Sequence, residues 1–189
     1  RLSPEFLPGF LTTPAEASGV VPMSLGMVVA LSLFNGFVEE LGWTGFAIPR
    51  MYRHYGVFAT GLSVGLLWGA WHFVSNIVLS GESSAPVPLV LFMPVLLFSF
   101  LPPFRVLMVW VYDRTESLLI AMLMHASLDV FRLASTPPGM TPVALVTWYL
   151  AWAALLWVIV GVVAVANHGQ LSRPGQPPAN IGSPQLTPR

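Results

Sequence analysis

Long apolar segments, each about as long as a helix that crosses a bilayer, follow one another along most of this chain. Hydrophobic residues make up 55% of the 189 residues and charged residues only 8%, with a mean hydropathy of +0.73. A soluble domain carries about 25% charged residues. The sequence therefore predicts an all-α fold, a polytopic transmembrane helix bundle, in which any chemistry uses groups within or beside the spans.

Five spans result when the apolar runs are separated at polar or proline-rich stretches. They are predicted at about residues 20–38, 57–79, 89–115, 117–133 and 141–166. The third contains Pro94, Pro102 and Pro103, and proline removes a backbone hydrogen bond. We therefore predict a short or kinked third span and a separate interfacial piece, which would raise the count to six. The turn between the first two spans is predicted at Pro49 to His54.

The rest of the chain is expected to flank one membrane domain. Residues 1–19 are predicted to form an interfacial lead-in, 20–166 the transmembrane domain and 167–189 a disordered tail. Arginine is favoured on the cytoplasmic side of a membrane. With the N-terminus outside, most arginines fall inside: Arg50, Arg53, Arg105, Arg114 and those of the tail. Only Arg1 and Arg132 would lie outside. We therefore expect a multi-pass protein of the cell membrane, a bacterial plasma membrane, with a cytoplasmic C-terminus.

Composition also excludes some functions. The chain has no cysteine, which excludes disulfides, thiol nucleophiles and cysteine-ligated metals. Eight basic and eight acidic residues give a net charge of zero, so no basic surface for a nucleic-acid partner is predicted. The partners expected are membrane lipid and a membrane-embedded substrate. The oligomeric state is not indicated.

Polar side chains recur at helical spacing in three of the spans. Each pair is four residues apart: Asn35 and Glu39, His72 and Asn76, His125 and Asp129. Glu40 adds a second carboxylate, rotated about 100° from its neighbour. Ionisable groups at membrane depth are costly and usually functional. We therefore predict that Glu39, Glu40, His72, His125 and Asp129 form one site.

Structural roles remain an alternative for each group. A buried histidine often packs in the core and bonds a backbone carbonyl, and the two glutamates would also suit a helix end among lipid headgroups. Asp129 would also pair with Arg132, three residues on. Such roles do not explain why costly groups concentrate on three spans while the fifth span has none.

A row of small residues accompanies the second span. Gly61, Gly65 and Gly69 repeat every four residues, one position along from His72 and its neighbours. Small residues at this spacing let another helix approach closely. We predict that His72 lies on the helix with the tightest packing.

Three motifs in this order resemble the CAAX-protease and bacteriocin-processing (CPBP, or Abi) membrane family. The family motifs read Glu-Glu-x-x-x-Arg, Phe-x-x-x-His and His-x-x-x-Asn or Asp. Here they correspond to Glu39-Glu40, to Trp68 with His72, and to His125 with Asp129. The stretch RVLMVWVYDRTESLLIAMLMHASLD also resembles the family, and the likeness covers residues 34–129. It implies a glutamate-type intramembrane endopeptidase acting on a peptide or lipidated protein. Family members usually have about eight helices, so this chain would be the catalytic half or lack N-terminal spans.

Two positions depart from the family motifs. Trp68 replaces a phenylalanine, which is a mild change. Thr44 replaces the arginine that the family is thought to use to hold the second glutamate, and a hydroxyl carries no charge. Arg50 lies beyond a proline and is not expected to substitute. We therefore expect Glu40 to be protonated, and a non-catalytic scaffold or immunity-type protein remains an alternative.

The side chains themselves suggest a hydrolytic mechanism. Glu39 would take a proton from a water held by His72, and His125, oriented by Asp129, would donate to the oxyanion. No cofactor is predicted. A metal-dependent hydrolase is a further alternative, because two histidines and three carboxylates suffice for zinc or manganese. The His-Glu-x-x-His helix of metalloproteases is absent, however.

Overall fold

Helices account for almost all of the part that the computed structural model describes, which is residues 25–80, 89–135, 140–168 and 171–172. Those residues contain no β-strand. The helices are α1 (Leu25–Gly42), a π-helical turn (Trp43–Ala47), α2 (Ile48–Ser80), α3 (Leu89–Thr115), α4 (Leu118–Ser135) and α5 (Pro142–Ala166). The prediction of an all-α helix bundle is confirmed. The lead-in and nearly all of the predicted tail lie outside the described residues.

The chain reverses direction at Gly56, inside α2. Gly56 has φ 74° and ψ 173°, which a residue with a Cβ rarely adopts. A continuous helix would separate Glu39 from Trp68 by about 43 Å, yet their side chains are hydrogen-bonded at 2.7 Å. The residues of α2 after Gly56 therefore run back toward the level of Glu39.

The predicted turn at Pro49 to His54 is wrong, because these residues remain helical. The π-helical turn directly before Pro49 gives the physical reason. A proline ring clashes with the carbonyl four residues earlier in a regular α-helix. Here the preceding turn is wider, and the backbone N–H of Ile48 bonds the carbonyl of Trp43, five residues back.

The predicted break in the third segment is also wrong, because α3 is one helix that contains Pro94, Pro102 and Pro103. Within a packed bundle, proline is tolerated because neighbouring helices can satisfy the backbone groups that lose their hydrogen bonds. Pro102 is buried against Gly65, where an added Cβ would lie 2.5 Å from the Pro102 Cα. Gly61 approaches Val106 equally closely. The predicted tight packing along the glycine row is confirmed, and its partner is the proline-containing face of α3.

Four stretches of the described chain are long and apolar enough to cross a membrane: Leu25–Ser75, Pro94–Thr115, Leu118–Ser135 and Val143–Ala166. The first includes α1 and most of α2, which run in opposite directions. The chain is thus a multi-pass membrane protein with five helices in its described part. The lipid-facing character is strongest in α5, of which only 17% of the most apolar window is buried.

The chain reversal at Gly56 and the C-terminal ends of α3 and α5 lie at the same end of the bundle. Arg114, near the end of α3, donates to the side-chain oxygen of Asn167 at 2.8 Å and to the carbonyl of Leu171 at 2.9 Å. The Val57 backbone N–H donates to Ser172 Oγ. The Gly56 reversal, the end of α3 and the end of α5 therefore share one side of the bundle.

Candidate functional site

The two adjacent glutamates of α1 occupy different surroundings. The Glu40 side chain is fully buried, whereas the Glu39 side chain is 16% exposed. This difference follows from the rotation of about 100° between successive helix positions. One carboxylate lies inside the bundle and the other is partly exposed.

Glu40 is held by three side chains from three parts of the fold. Arg105 of α3 donates from Nη1 to both carboxylate oxygens, at 2.9 and 2.8 Å, and both side chains are 0% exposed. The Thr44 hydroxyl donates to Oε2 from one turn further along. His125 Nδ1 of α4 lies 2.7 Å from Oε1. A buried carboxylate needs such partners.

The presence of Arg105 corrects two expectations. Glu40 does not lack an arginine partner, so the premise for expecting a protonated Glu40 is wrong. Arg105 does not lie in a loop on the inside either, since it is buried within α3. Arg50 does not substitute for the missing arginine, as expected. Its guanidinium lies 3.8 Å from the centre of the Phe46 ring and donates to the Phe46 carbonyl.

Trp68 lies at the centre of the cluster and is 1% exposed. Its Nε1 donates to Glu39 Oε2 at 2.7 Å. The Arg105 guanidinium carbon lies 4.1 Å from the centre of the indole ring. The ring centres of His72 and His125 lie 5.6 and 5.0 Å away. The indole therefore contacts both histidines, Glu39 and Arg105, which come from its own helix and from the three other helices of the site.

His72 and Glu39 lie close together on neighbouring helices. His72 Nε2 lies 3.9 Å from Glu39 Oε2, which is longer than a hydrogen bond. Their side chains are 13% and 16% exposed, in contrast to the sealed Glu40 and His125. This pair and Asp129, which is 17% exposed, are thus the partly exposed members of the site.

Asp129 lies between Asn35 and His125. Its Oδ2 accepts a hydrogen bond from Asn35 Nδ2 at 3.3 Å and lies 3.8 Å from His125 Nε2. The two ring nitrogens of His125 therefore face two carboxylates, with Glu40 bonded at Nδ1 and Asp129 within ion-pair distance of Nε2. Arg132, expected outside the membrane, is buried in α4 and donates to the Tyr149 hydroxyl at 3.2 Å.

The structure brings all five predicted site residues together through two chains of contacts. One chain joins Glu40 to His125 and continues to Asp129, and the other joins Glu39 to His72. Sequence reasoning missed Arg105, although an arginine in the middle of a long apolar run is itself a signal. It also missed Gly36, where an added Cβ would lie 2.7 Å from the Met122 carbonyl oxygen. That close approach lets α1 and α4 bring Glu40 to His125.

A metal ion would need several of these side chains to converge on one point. Within the described ranges, no three His, Asp or Glu side chains are grouped so as to hold a metal ion. The carboxylate most central to the cluster, Glu40, instead has hydrogen-bond partners on both oxygens.

Comparison with known proteins identifies the family. Residues 21–131 match the family described as type II CAAX prenyl endopeptidase Rce1-like. A CAAX prenyl protease 2 from Methanococcus maripaludis is 37% identical over 46 residues, which cover 24% of this chain and 17% of that protein. No solved structure gives a significant match. Because the family match extends over more than half of the chain, this protein belongs to the Rce1-like family of type II CAAX prenyl endopeptidases.

Proposed function

We propose that this protein is an intramembrane endopeptidase of the CAAX type, in which Glu39 and His72 activate the water that hydrolyses a peptide bond. The separation of 3.9 Å between His72 Nε2 and Glu39 Oε2 carries the proposal. A water oxygen about 2.8 Å from both atoms fits this separation. Both side chains are partly exposed, at 13% and 16%, although the His72 Nε2 atom itself is buried.

Glu39 is the proposed general base. Its Oε2 accepts from Trp68, which fixes the carboxylate, and the same oxygen faces His72 and takes the water proton. The resulting hydroxide oxygen bonds to the scissile carbonyl carbon. The same carboxyl then gives the proton to the leaving nitrogen as the C–N bond breaks. His72 orients the water through Nε2.

His125 is the proposed donor to the oxyanion. Glu40 engages Nδ1, so the ring presents Nε2 on its opposite edge, toward Asp129. A protonated Nε2 there can donate to the developing negative charge on the carbonyl oxygen. Asp129 and the Asn35 amide bonded to it would border that position.

The substrate proposed is a prenylated or otherwise lipidated peptide. Family membership supports this class, and the helices that carry Glu39 and His72 have apolar exposed surfaces. The bilayer would hold the lipid while the peptide reaches Glu39. We also propose that the C-terminus is cytoplasmic, because Arg50, Arg53 and Arg114 lie near the Gly56 end of the bundle.

The test is cleavage of a farnesylated CAAX peptide by the full chain in proteoliposomes. Glu39→Gln keeps the shape of the side chain but removes the base, so kcat should fall by about 10²- to 10⁴-fold. The matched control is Glu116→Gln, the same change at an exposed position outside the site. Full activity in Glu39→Gln would reject the glutamate mechanism.

The same assay decides between the alternatives. Wild-type activity that withstands a chelator supports water activation by Glu39 and His72, whereas activity that is lost and then restored by zinc would support a metal-dependent hydrolase. No cleavage of any lipidated or membrane-embedded peptide would favour the scaffold or immunity-type protein.

A further inference from the structure

Arg105 comes from a helix that supplies none of the three family motifs. It lies 61 positions after Thr44, where the first motif would place its arginine. Yet its Nη1 contacts both oxygens of Glu40, and both side chains are completely buried. The charge that is missing from α1 is thus present in space, supplied by α3.

Position 44 faces the same carboxylate. The Thr44 hydroxyl donates to Glu40 Oε2, as expected for residues four apart on one helical face. An arginine at position 44 and the present Arg105 would therefore compete for one carboxylate. The combination of a small side chain at position 44 and an arginine at position 105 therefore replaces the family arrangement, in which the arginine is at position 44.

Arg105 also acts on Glu39, through Trp68. Its guanidinium stacks on the indole at 4.1 Å, and that indole donates to Glu39. One cation therefore contacts Glu40 directly and supports Glu39 through an aromatic ring. A planar guanidinium can do both, whereas an ammonium group offers a point charge that does not stack.

We propose that Arg105 is a positioning residue that replaces, from a different helix, the arginine absent at position 44, and that it orients both Glu39 and Glu40 for the reaction. This inference rests on the proposed function. Stability alone is a weak explanation for the pair, because a buried ion pair seldom stabilises a fold more than apolar residues of similar volume. A role in orienting the two carboxylates explains why the Arg105–Glu40 ion pair is present.

The experiment is an exchange of the arginine between helices, measured on the full chain in proteoliposomes. The variants are Arg105→Ala, Thr44→Arg, the combination of both, and Arg105→Lys. Arg50→Ala is the matched control, because that arginine is exposed and stacks on Phe46, four residues earlier and outside the site. Cleavage rates and melting temperatures are measured for each.

We expect Arg105→Ala to lower kcat by about 10²-fold with little change in KM, as misplacement of a catalytic group does. Thr44→Arg alone should also be impaired, because two guanidinium groups then meet in a sealed space. The combination should be more active and melt higher than either single variant. Arg105→Lys should recover part of kcat, since it keeps the charge but not the stacking. Arg50→Ala should match the wild type.

Two results would overturn the inference: a folded Arg105→Ala protein with wild-type kcat, or a combined variant no better than Arg105→Ala in both rate and melting temperature. An inactive wild type would instead contradict the proposed function. In that case the melting temperatures of the four variants still show whether an arginine at position 44 can take the place of Arg105.

Discussion

The indole nitrogen of Trp68 donates a hydrogen bond to Oε2 of Glu39 at 2.7 Å. The family motif has phenylalanine at this position, and a phenyl ring cannot make that bond. The change that appeared mild from the sequence therefore adds a specific contact to the proposed base. It also gives the site a second way to fix Glu39, besides the packing of its own helix.

Trp68→Phe tests this contact. The phenyl ring should keep most of the stacking against Arg105 and His125 but lose the bond to Glu39. A hydrogen bond to a charged group contributes about 1.5–3 kcal/mol, so kcat should fall by roughly tenfold or more with KM nearly unchanged. The measurement is the steady-state cleavage rate. Trp71→Phe is the control, because Trp71 is 58% exposed on the same helix. Equal rates in Trp68→Phe and the wild type would show that the bond does not matter for Glu39.

Thr44, which departs from the family motif, is a hydrogen-bond partner of Glu40. Thr44→Val keeps the volume but removes the hydroxyl that donates to Glu40. We expect a loss of unfolding free energy of about 1–3 kcal/mol, the usual cost of removing one partner from a buried polar group. Thermal or denaturant unfolding in detergent measures it. Thr147→Val is the control, because that exposed hydroxyl bonds only a carbonyl of its own helix. A smaller loss at Thr44 than at Thr147 would contradict the role given to the hydroxyl.

Helical spacing predicted the parts of the site that lie on one helix each. It placed Asn35 with Glu39, and His125 with Asp129, on common faces, and it placed the glycine row where α3 packs. The family resemblance then brought the three spans together. Apolar length also predicted the helix bundle, because a bilayer leaves the backbone few alternatives.

Contacts between residues on different helices could not be predicted from helical spacing. Nothing in the spacing of α3 says that Arg105 points at Glu40, since that depends on how α2 and α3 pack. The prolines of α3 also misled the prediction, because their effect on a helix depends on the neighbours that surround it. The reversal at Gly56 was missed for a related reason, because the nearby Pro49 and arginines gave a stronger turn signal than one glycine.

Gly65→Ala tests the close packing of α2 and α3. An added Cβ would lie 2.5 Å from the Pro102 Cα and 3.2 Å from the Arg105 Cβ. Since backbone has to move, the expected destabilisation is about 1–3 kcal/mol, typical of overpacking, and kcat should fall because Arg105 is displaced. Gly161→Ala on α5 is the control, because an added Cβ there meets nothing within 4 Å. Melting temperature and cleavage rate are measured together. A Gly65→Ala protein as stable as Gly161→Ala would show that the helices separate without cost.

Asp129 offers the clearest choice between two accounts of His125. If Glu40 orients the imidazole, the negative charge of Asp129 is not required, because Asp129 Oδ2 is 3.8 Å from His125 Nε2 and its bonding partner is Asn35. Asp129→Asn keeps an oxygen that can accept from Asn35, so its kcat should stay within about tenfold of the wild type, a difference of about 1.4 kcal/mol. Asp129→Leu removes the acceptor and should lower kcat further. Ser127→Leu is the control, because Ser127 is exposed on the same helix and bonds only the Met124 carbonyl. If Asp129→Asn instead lost as much activity as Glu39→Gln, the charge would be essential, and Asp129 rather than Glu40 would be the residue that orients His125.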